Sequence, residues 1–267
     1  MTKTAMKAGR TRLMCIAGVA SAALVIMAAG PALASASATT HPRLNTTFAA
    51  TTACAPTGAP QPNSSPACIA ADLARINAAR ASEGVRPMYL PANYPTLSGA
   101  DQQFVVINLE RVDRGEPAIV GLTTAINVIA AGGANAGTDP GFPAGGLTWG
   151  GSIWAAGFPS TLEADFAWMY NDGPGSNNIA CTAANTAGCW GHRDIILANP
   201  AGARLVAGAA VALNNSASQF ATEVQQPSGA QPAFVYTWTT AVAAGAGTTP
   251  AAVRHHAPSA LVTLASR

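Results

Sequence analysis

The order of periods along this chain predicts an α+β fold. Apolar residues recur at helical spacing between positions 65 and 131, and short or alternating apolar runs gather after position 200. Helices early and strands late favour α+β over a parallel α/β sheet.

The elements follow in chain order. Ser65-Pro66 reads as an N-cap with proline at the first helical position. It opens a helix to Ser82 with Ile69, Leu73, Ile76 and Ala79 on one face, stopped at Gly84. Pro87, Pro91 and Pro95 mark 85–97 as a loop. Ser98 and Asp101 resemble a capping box ahead of a second helix, which carries Val105, Leu109 and Val112 and ends at Gly115. Pro117 to Ala131 reads as a third helical stretch. Residues 132–150, with seven glycines and two prolines, read as a long loop. Ser152 to Ala156 reads as a short strand, and Ser160 caps a helix through Tyr170. Asn171 to Trp190 is irregular. Arg204 to Leu213 and Pro232 to Val242 read as strands, the latter alternating Phe234, Tyr236 and Trp238.

The N-terminus has the three parts of an export signal: basic residues Lys3, Lys7, Arg10 and Arg12, an apolar run from Leu13 to Ala29, and small residues through Ala38 with A-x-A registers. We therefore expect a signal peptide over 1–38 and a secreted, extracellular product. The apolar run is shorter than the roughly 20 residues of a bilayer span, and no second run of that length follows. A flexible lead is expected over 39–64, one domain over 65–243, and a flexible tail over 244–267. The domain's length suits a single core, and a monomer is expected.

The whole chain has 14 Lys and Arg against 12 Asp and Glu. The leader holds four of the cations and none of the acids, so the remainder has ten arginines, no lysine and a net charge of −2. That surface offers no electrostatic case for nucleic acid or an anionic membrane. Cys54, Cys68, Cys181 and Cys189 remain after the leader; an even count in an exported chain suggests disulfides. Three pairings are open, of which Cys54–Cys68 with Cys181–Cys189 is the most local.

Two segments share a pattern. Asn77-Ala-Ala-Arg80 leads to Gly84 and Pro87, and Asn108-Leu-Glu-Arg111 leads to Gly115 and Pro117. Both place Asn and Arg near one helix face ahead of a glycine C-cap. Further on come Trp168-Met169, then Gly191-His192-Arg193-Asp194-Ile-Ile-Leu197, then the apolar Gly208 to Ala212. This order, over about residues 100–242, resembles the bacterial SCP-like members of the CAP superfamily (cysteine-rich secretory proteins, antigen 5 and pathogenesis-related proteins). Two departures stand out: Ile195 replaces the family's Asn, and the insert from Asn171 to Trp190 is longer than the family turn.

The resemblance implies a three-layer α-β-α sandwich around a small, mainly antiparallel sheet. It also implies a cleft with two His and two acids, sometimes holding a divalent cation. His192 matches the second His. No His stands at 125–145, where Asp139 is the nearest ionisable residue, and Gly150-Gly151-Ser152-Ile153 has no carboxylate where the family has its first Glu. Asp172, or else Glu163 or Asp165, is the candidate second acid. With half the tetrad at most, no metal and no cofactor are expected.

Candidate catalytic residues are thus His192, Asp172 and Glu163, with a hydrogen-bonding role between helix and sheet as the alternative for His192. No Gly-x-Ser-x-Gly names a nucleophile. Arg75, Arg80, Arg111 and Arg114 read as solvated helix faces paired with Asp72, Glu83, Glu110 and Asp113. Trp168 and Trp238 read as core; Trp149, Trp154 and Trp190 are candidates to line a groove. The function expected is non-catalytic binding of an apolar (lipid) or glycan ligand at the cell envelope, with His192, Trp149, Trp154 and Trp190 as ligand contacts. The alternatives are an extracellular hydrolase using His192 with a nearby carboxylate, and a disulfide-stapled structural protein.

Overall fold

The first helix, α1 (Pro66–Ser82), begins as its sequence dictates: the Ser65 hydroxyl accepts the Cys68 amide at 3.3 Å, with Pro66 in the first turn. These coordinates are a computed structural model, describing residues 41–42, 45–47, 52–55, 61–143, 146–200, 204–214, 217–230 and 232–248. The expected signal peptide lies outside the described residues.

The second helix, α2 (Gly99–Val112), is capped by Ser98, whose hydroxyl accepts the Asp101 amide at 3.2 Å. Both helices end in the same way. Gly84 and Gly115 turn into the left-handed region at φ 72° and 85°, where a residue without a Cβ is at ease. The next amides, of Val85 and Glu116, return to the carbonyls of Arg80 and Arg111. Asn77 then accepts the Met88 amide, and Asn108 the Ile119 amide, each at 2.7 Å and eleven residues on. Arg80 Nε donates to the Arg86 carbonyl at 2.8 Å and Arg111 Nε to the Pro117 carbonyl at 2.9 Å. The repeated sequence pattern is a repeated structural device, a helix whose Asn and Arg clamp its own exit loop.

Next come β1 (Gly121–Leu122), α3 (Thr124–Ala136), β2 (Leu147–Ala156), α4 (Thr161–Tyr170) and α5 (Gly191–Leu197). They are followed by β3 (Val206–Asn214), β4 (Ala217–Pro227), β5 (Tyr236–Thr237) and α6 (Trp238–Ala243). One five-stranded sheet has the order β2-β4-β3-β1-β5. It is mixed: β1 runs parallel to β3, and the other neighbours are antiparallel. α3 covers one face. Gly208 of β3 permits that, since a Cβ there would lie 2.1 Å from the Ile126 carbonyl carbon. The main core fills the other face, where Phe104, Ile107, Leu109, Ile153, Phe166, Trp168, Ile196 and Phe220 are buried together. The fold is α+β, with helices on both faces of the sheet as in an α-β-α sandwich. No helix among the described residues is long and apolar enough to cross a membrane.

Several elements differ from expectation. The third helix starts at Thr124 rather than near Pro117, because the Val120 amide bonds the Leu205 carbonyl and draws 120–122 into the sheet. It continues through Gly132 and Gly133, so the expected loop is shorter. Pro232 to Val242 yields only two strand residues before Thr237 caps α6, its hydroxyl accepting the Thr240 amide at 3.1 Å. The strand β4, unforeseen, pairs along both edges. Both disulfides are the local ones, Cys54–Cys68 and Cys181–Cys189.

Candidate functional site

His192 is the second residue of α5, and Asp172 lies just beyond the end of α4. Two contacts tie them together, and a third joins Asp172 to the neighbouring Trp190. Asp172 Oδ2 accepts the His192 backbone amide at 3.0 Å, Oδ1 lies 2.6 Å from the ring Nδ1, and the Trp190 amide donates to the Asp172 carbonyl at 2.9 Å. Asn178 Nδ2 adds a fourth contact, to Asp172 Oδ1 at 2.7 Å. A carboxylate at Nδ1 holds the proton there in the neutral ring, leaving Nε2 as an acceptor. The ring is one-fifth exposed. Trp190 starts α5 from the left-handed region at φ 64°, rare for a large side chain. Its ring lies against Gly173, where a Cβ would come within 2.4 Å.

The next residue, Arg193, fixes α5 from behind. It donates to the Met169 carbonyl at 2.7 Å and to both oxygens of Glu83, at 3.0 and 2.8 Å. Glu83 also takes Arg114 at 2.8 Å. Arg114 and Arg80 both pair with Glu110, the latter at 2.9 Å, and the Tyr170 hydroxyl donates to the same carboxylate at 2.8 Å. Arg80 and Arg86 pair with Asp113. The arginines expected on solvated faces are therefore largely inside: Arg80, Arg111 and Arg114 are buried, although Glu83, Glu110 and Asp113 are the expected partners. Burial alone would raise the Glu110 carboxyl; Arg80 and Arg114 more than reverse it and hold it below its ordinary range. Asp165, fully buried with both oxygens unpartnered, is pushed well above the ordinary range by burial and then by the charge of Glu110. Among the described residues, Arg111 has no carboxylate at hydrogen-bond distance. It donates to the Ile196 and Ala198 carbonyls at 2.6 and 2.8 Å, and burial pushes it down to about 10.

The helix that carries His192 packs on the edge strand β2. Neighbouring strand residues point to opposite faces. At Gly151 a Cβ would touch Ile195 of α5, whereas at Gly150 it would touch the Phe142 ring from the loop after α3. Asp139 lies in that loop, its carboxyl raised by partial burial and pulled back by the charge of His192. Asp139, where the resemblance implies a histidine, is thus within reach of the charge of His192. It also lines an open pocket of about 480 Å³ with Ile129, Gly132, Thr138 and Phe142.

The other candidates are dispersed. Glu163 sits in the first turn of α4, its amide bonded to Ser160 Oγ at 3.0 Å. Seven residues of helical rise, about 10 Å, separate it from Tyr170 at the other end of α4, and Asp172 lies beyond that end, so it does not join His192. It lies instead beside Asp72, which accepts the Ser160 hydroxyl at 2.5 Å. Trp149 covers Gly151 on the α5 side of β2. Trp154 points to the other side, donating to Gln219 Oε1 at 2.9 Å near Gly137. Trp190 is buried with the Cys181–Cys189 disulfide. The three tryptophans do not line one groove.

Two features were not anticipated. His41 of the N-terminal lead stacks on Trp190 with centroids 6.0 Å apart and pairs with Asp194 at 2.8 Å, while Asn45 bonds Gly173 in both directions. Glu223 is fully buried opposite Ser152 on β4, one oxygen unpartnered, its carboxyl raised by burial. It stands next to the strand where the resemblance implies a carboxylate that the sequence lacks, and only strand pairing could have revealed it. Among the described residues, the His, Cys, Asp or Glu atoms that converge as metal ligands would are those of Cys54, Cys68 and Asp72. Both sulfurs there form a disulfide, leaving a single carboxylate.

Comparison with protein-family models, curated proteins and solved structures returned no match to this chain.

Proposed function

We propose that this chain is an exported, bacterial SCP-like domain of the CAP superfamily that binds an apolar or glycan ligand of the cell envelope beside His192 without transforming it. The order of its motifs supports the family reading, and two disulfides suit an oxidising compartment. One observation carries the site. Asp172 locks Nδ1 of a part-exposed histidine, so Nε2 is presented in a fixed direction to an incoming polar group. Binding is favoured over acyl transfer because, among the described residues, the ring's partner is a carboxylate and no hydroxyl or thiol pairs with it.

The same Asp–His pair is also the orienting half of a general base, which gives the second reading, an envelope hydrolase. Titration of the secreted chain with envelope lipid and glycan fractions separates the two. Binding without turnover, weakened about tenfold in His192→Ala for the loss of one hydrogen bond, is the expected result. Turnover abolished by that substitution would establish the hydrolase. No enrichment of either fraction would overturn the binding reading.

A further inference from the structure

Gly132 lies inside α3, where glycine is the least favourable residue apart from proline. The fold does not ask for it. Its φ is not left-handed, and a Cβ built there meets no atom within 4 Å. Its neighbour Gly133 is different, since a Cβ there would lie 2.8 Å from the Pro140 nitrogen. What lies above Gly132 is the open pocket of about 480 Å³, and Gly141 on its rim has equally free space. The Phe142 ring is held against Gly150 yet 48% exposed. Asp139 and Thr138 bring an exposed carboxylate and a hydroxyl to the same wall.

We propose that this pocket is a subsite for a neutral carbohydrate, seated with the aliphatic face of one ring on Phe142 and its hydroxyls donating to Asp139. The inference rests on the binding function proposed above and narrows its ligand to one class. The volume falls within the roughly 300–1,000 Å³ of small-molecule sites. An aromatic ring beside a carboxylate suits a ring that is apolar on its face and rich in donors at its rim. A lipid chain fits worse. It needs an enclosed apolar channel, whereas this pocket is open, and covering Asp139 with hydrocarbon would strip the carboxylate of water without a partner. The lysine-free, net-negative chain beyond the leader disfavours an anionic sugar. Gly132 leaves the floor at backbone level, where a side chain would occupy the sugar's place.

The test uses the secreted chain, with chitotetraose and maltotetraose as neutral probes and palmitate as the lipid probe. Calorimetry would be run on the wild type, Gly132→Leu, Phe142→Ala and His192→Ala. Gly132→Leu improves helix propensity while filling the pocket, so its Tm should be unchanged or about 2 °C higher. Its affinity for at least one oligosaccharide should fall at least tenfold, as should that of Phe142→Ala. Oligosaccharide binding lost in His192→Ala but intact in Gly132→Leu and Phe142→Ala would overturn the subsite and leave the binding function standing. Palmitate binding alone, lost in His192→Ala, would overturn the carbohydrate and keep the broader function. No binding of any probe by the wild type would overturn the carbohydrate proposal, and the envelope-fraction titration then decides the broader function independently.

Discussion

Glu83, just past the end of α1, holds the guanidinium of Arg193 on α5 with both carboxylate oxygens, at 3.0 and 2.8 Å. The two residues are 110 positions apart in sequence, and Arg193 adjoins His192. The pair joins the first helix of the domain to the helix that carries the candidate site. Glu83 also takes Arg114, so its loss leaves two nearly buried guanidinium groups short of a carboxylate.

Glu83→Gln is therefore expected to cost about 2 kcal/mol, below the 3–5 kcal/mol typical when a fully buried pair is broken, because Glu83 is partly exposed. For a domain of this size, Tm should fall by roughly 4–8 °C. Amide exchange should quicken first in α5 around His192. An unchanged Tm would mean that Arg193 is held by the Met169 carbonyl alone.

The paired clamps of α1 and α2 predict unequal costs. Asn108 is fully buried and bonds both the amide and the carbonyl of Ile119. Asn77 is half-buried and accepts one amide, that of Met88. Asn108→Ala should cost about 2–3 kcal/mol and Asn77→Ala about 1 kcal/mol. Chemical denaturation of the two variants reads the difference directly, and equal losses would refute the reading of the second clamp as the more buried one.

Local chemistry was legible in the sequence, and long-range chemistry was not. Ser65, Ser98 and Ser160 each cap a helix as expected, because a cap needs only the three residues that follow it. β4 escaped because Gln219, Thr222, Glu223 and Gln225 are buried polar residues that hide the apolar alternation of a strand. Glu223 and Gln225 pair with each other, while Gln219 and Thr222 find partners on other elements. One of these is Gln103 of α2, which accepts the Thr222 hydroxyl at 3.0 Å. At the site, His192 and Asp172 were both named, and their contact is real. The tryptophans misled because closeness in sequence placed Trp149 and Trp154 together, while the strand's alternation sends them to opposite faces.

The Cys181–Cys189 bridge closes a short loop beneath Trp190. Chain-entropy bookkeeping for so short a loop gives about 2.5 kcal/mol. A Cys181→Ser, Cys189→Ser double variant should lose about that much. The loss should be felt in the insert, where the Asn178 contact to Asp172 would loosen and Trp190 fluorescence would shift towards that of a solvated indole. The rest of the sheet should keep its exchange protection. A global loss of protection would show that the insert is part of the main cooperative unit.

Glu163 gives the fold a pH dependence whose sign is fixed by its surroundings. It is 5% exposed, one oxygen has no partner, and burial followed by the charge of Asp72 pushes its carboxyl up to about 7. An unfolded Glu titrates near 4.3. The folded chain thus holds this proton more tightly than the unfolded chain does. Its stabilising effect is complete below about pH 4.3 and is lost as pH rises to about 7. Glu163→Gln keeps the shape and removes the titration. Across that window the variant's stability should vary less with pH than the wild type's, and above pH 7 it should be the more stable of the two by up to about 3–4 kcal/mol. Thermal melts at half-unit steps from pH 4 to 8 measure this. Parallel curves for the two proteins would show instead that Glu163 titrates as it does in the unfolded chain.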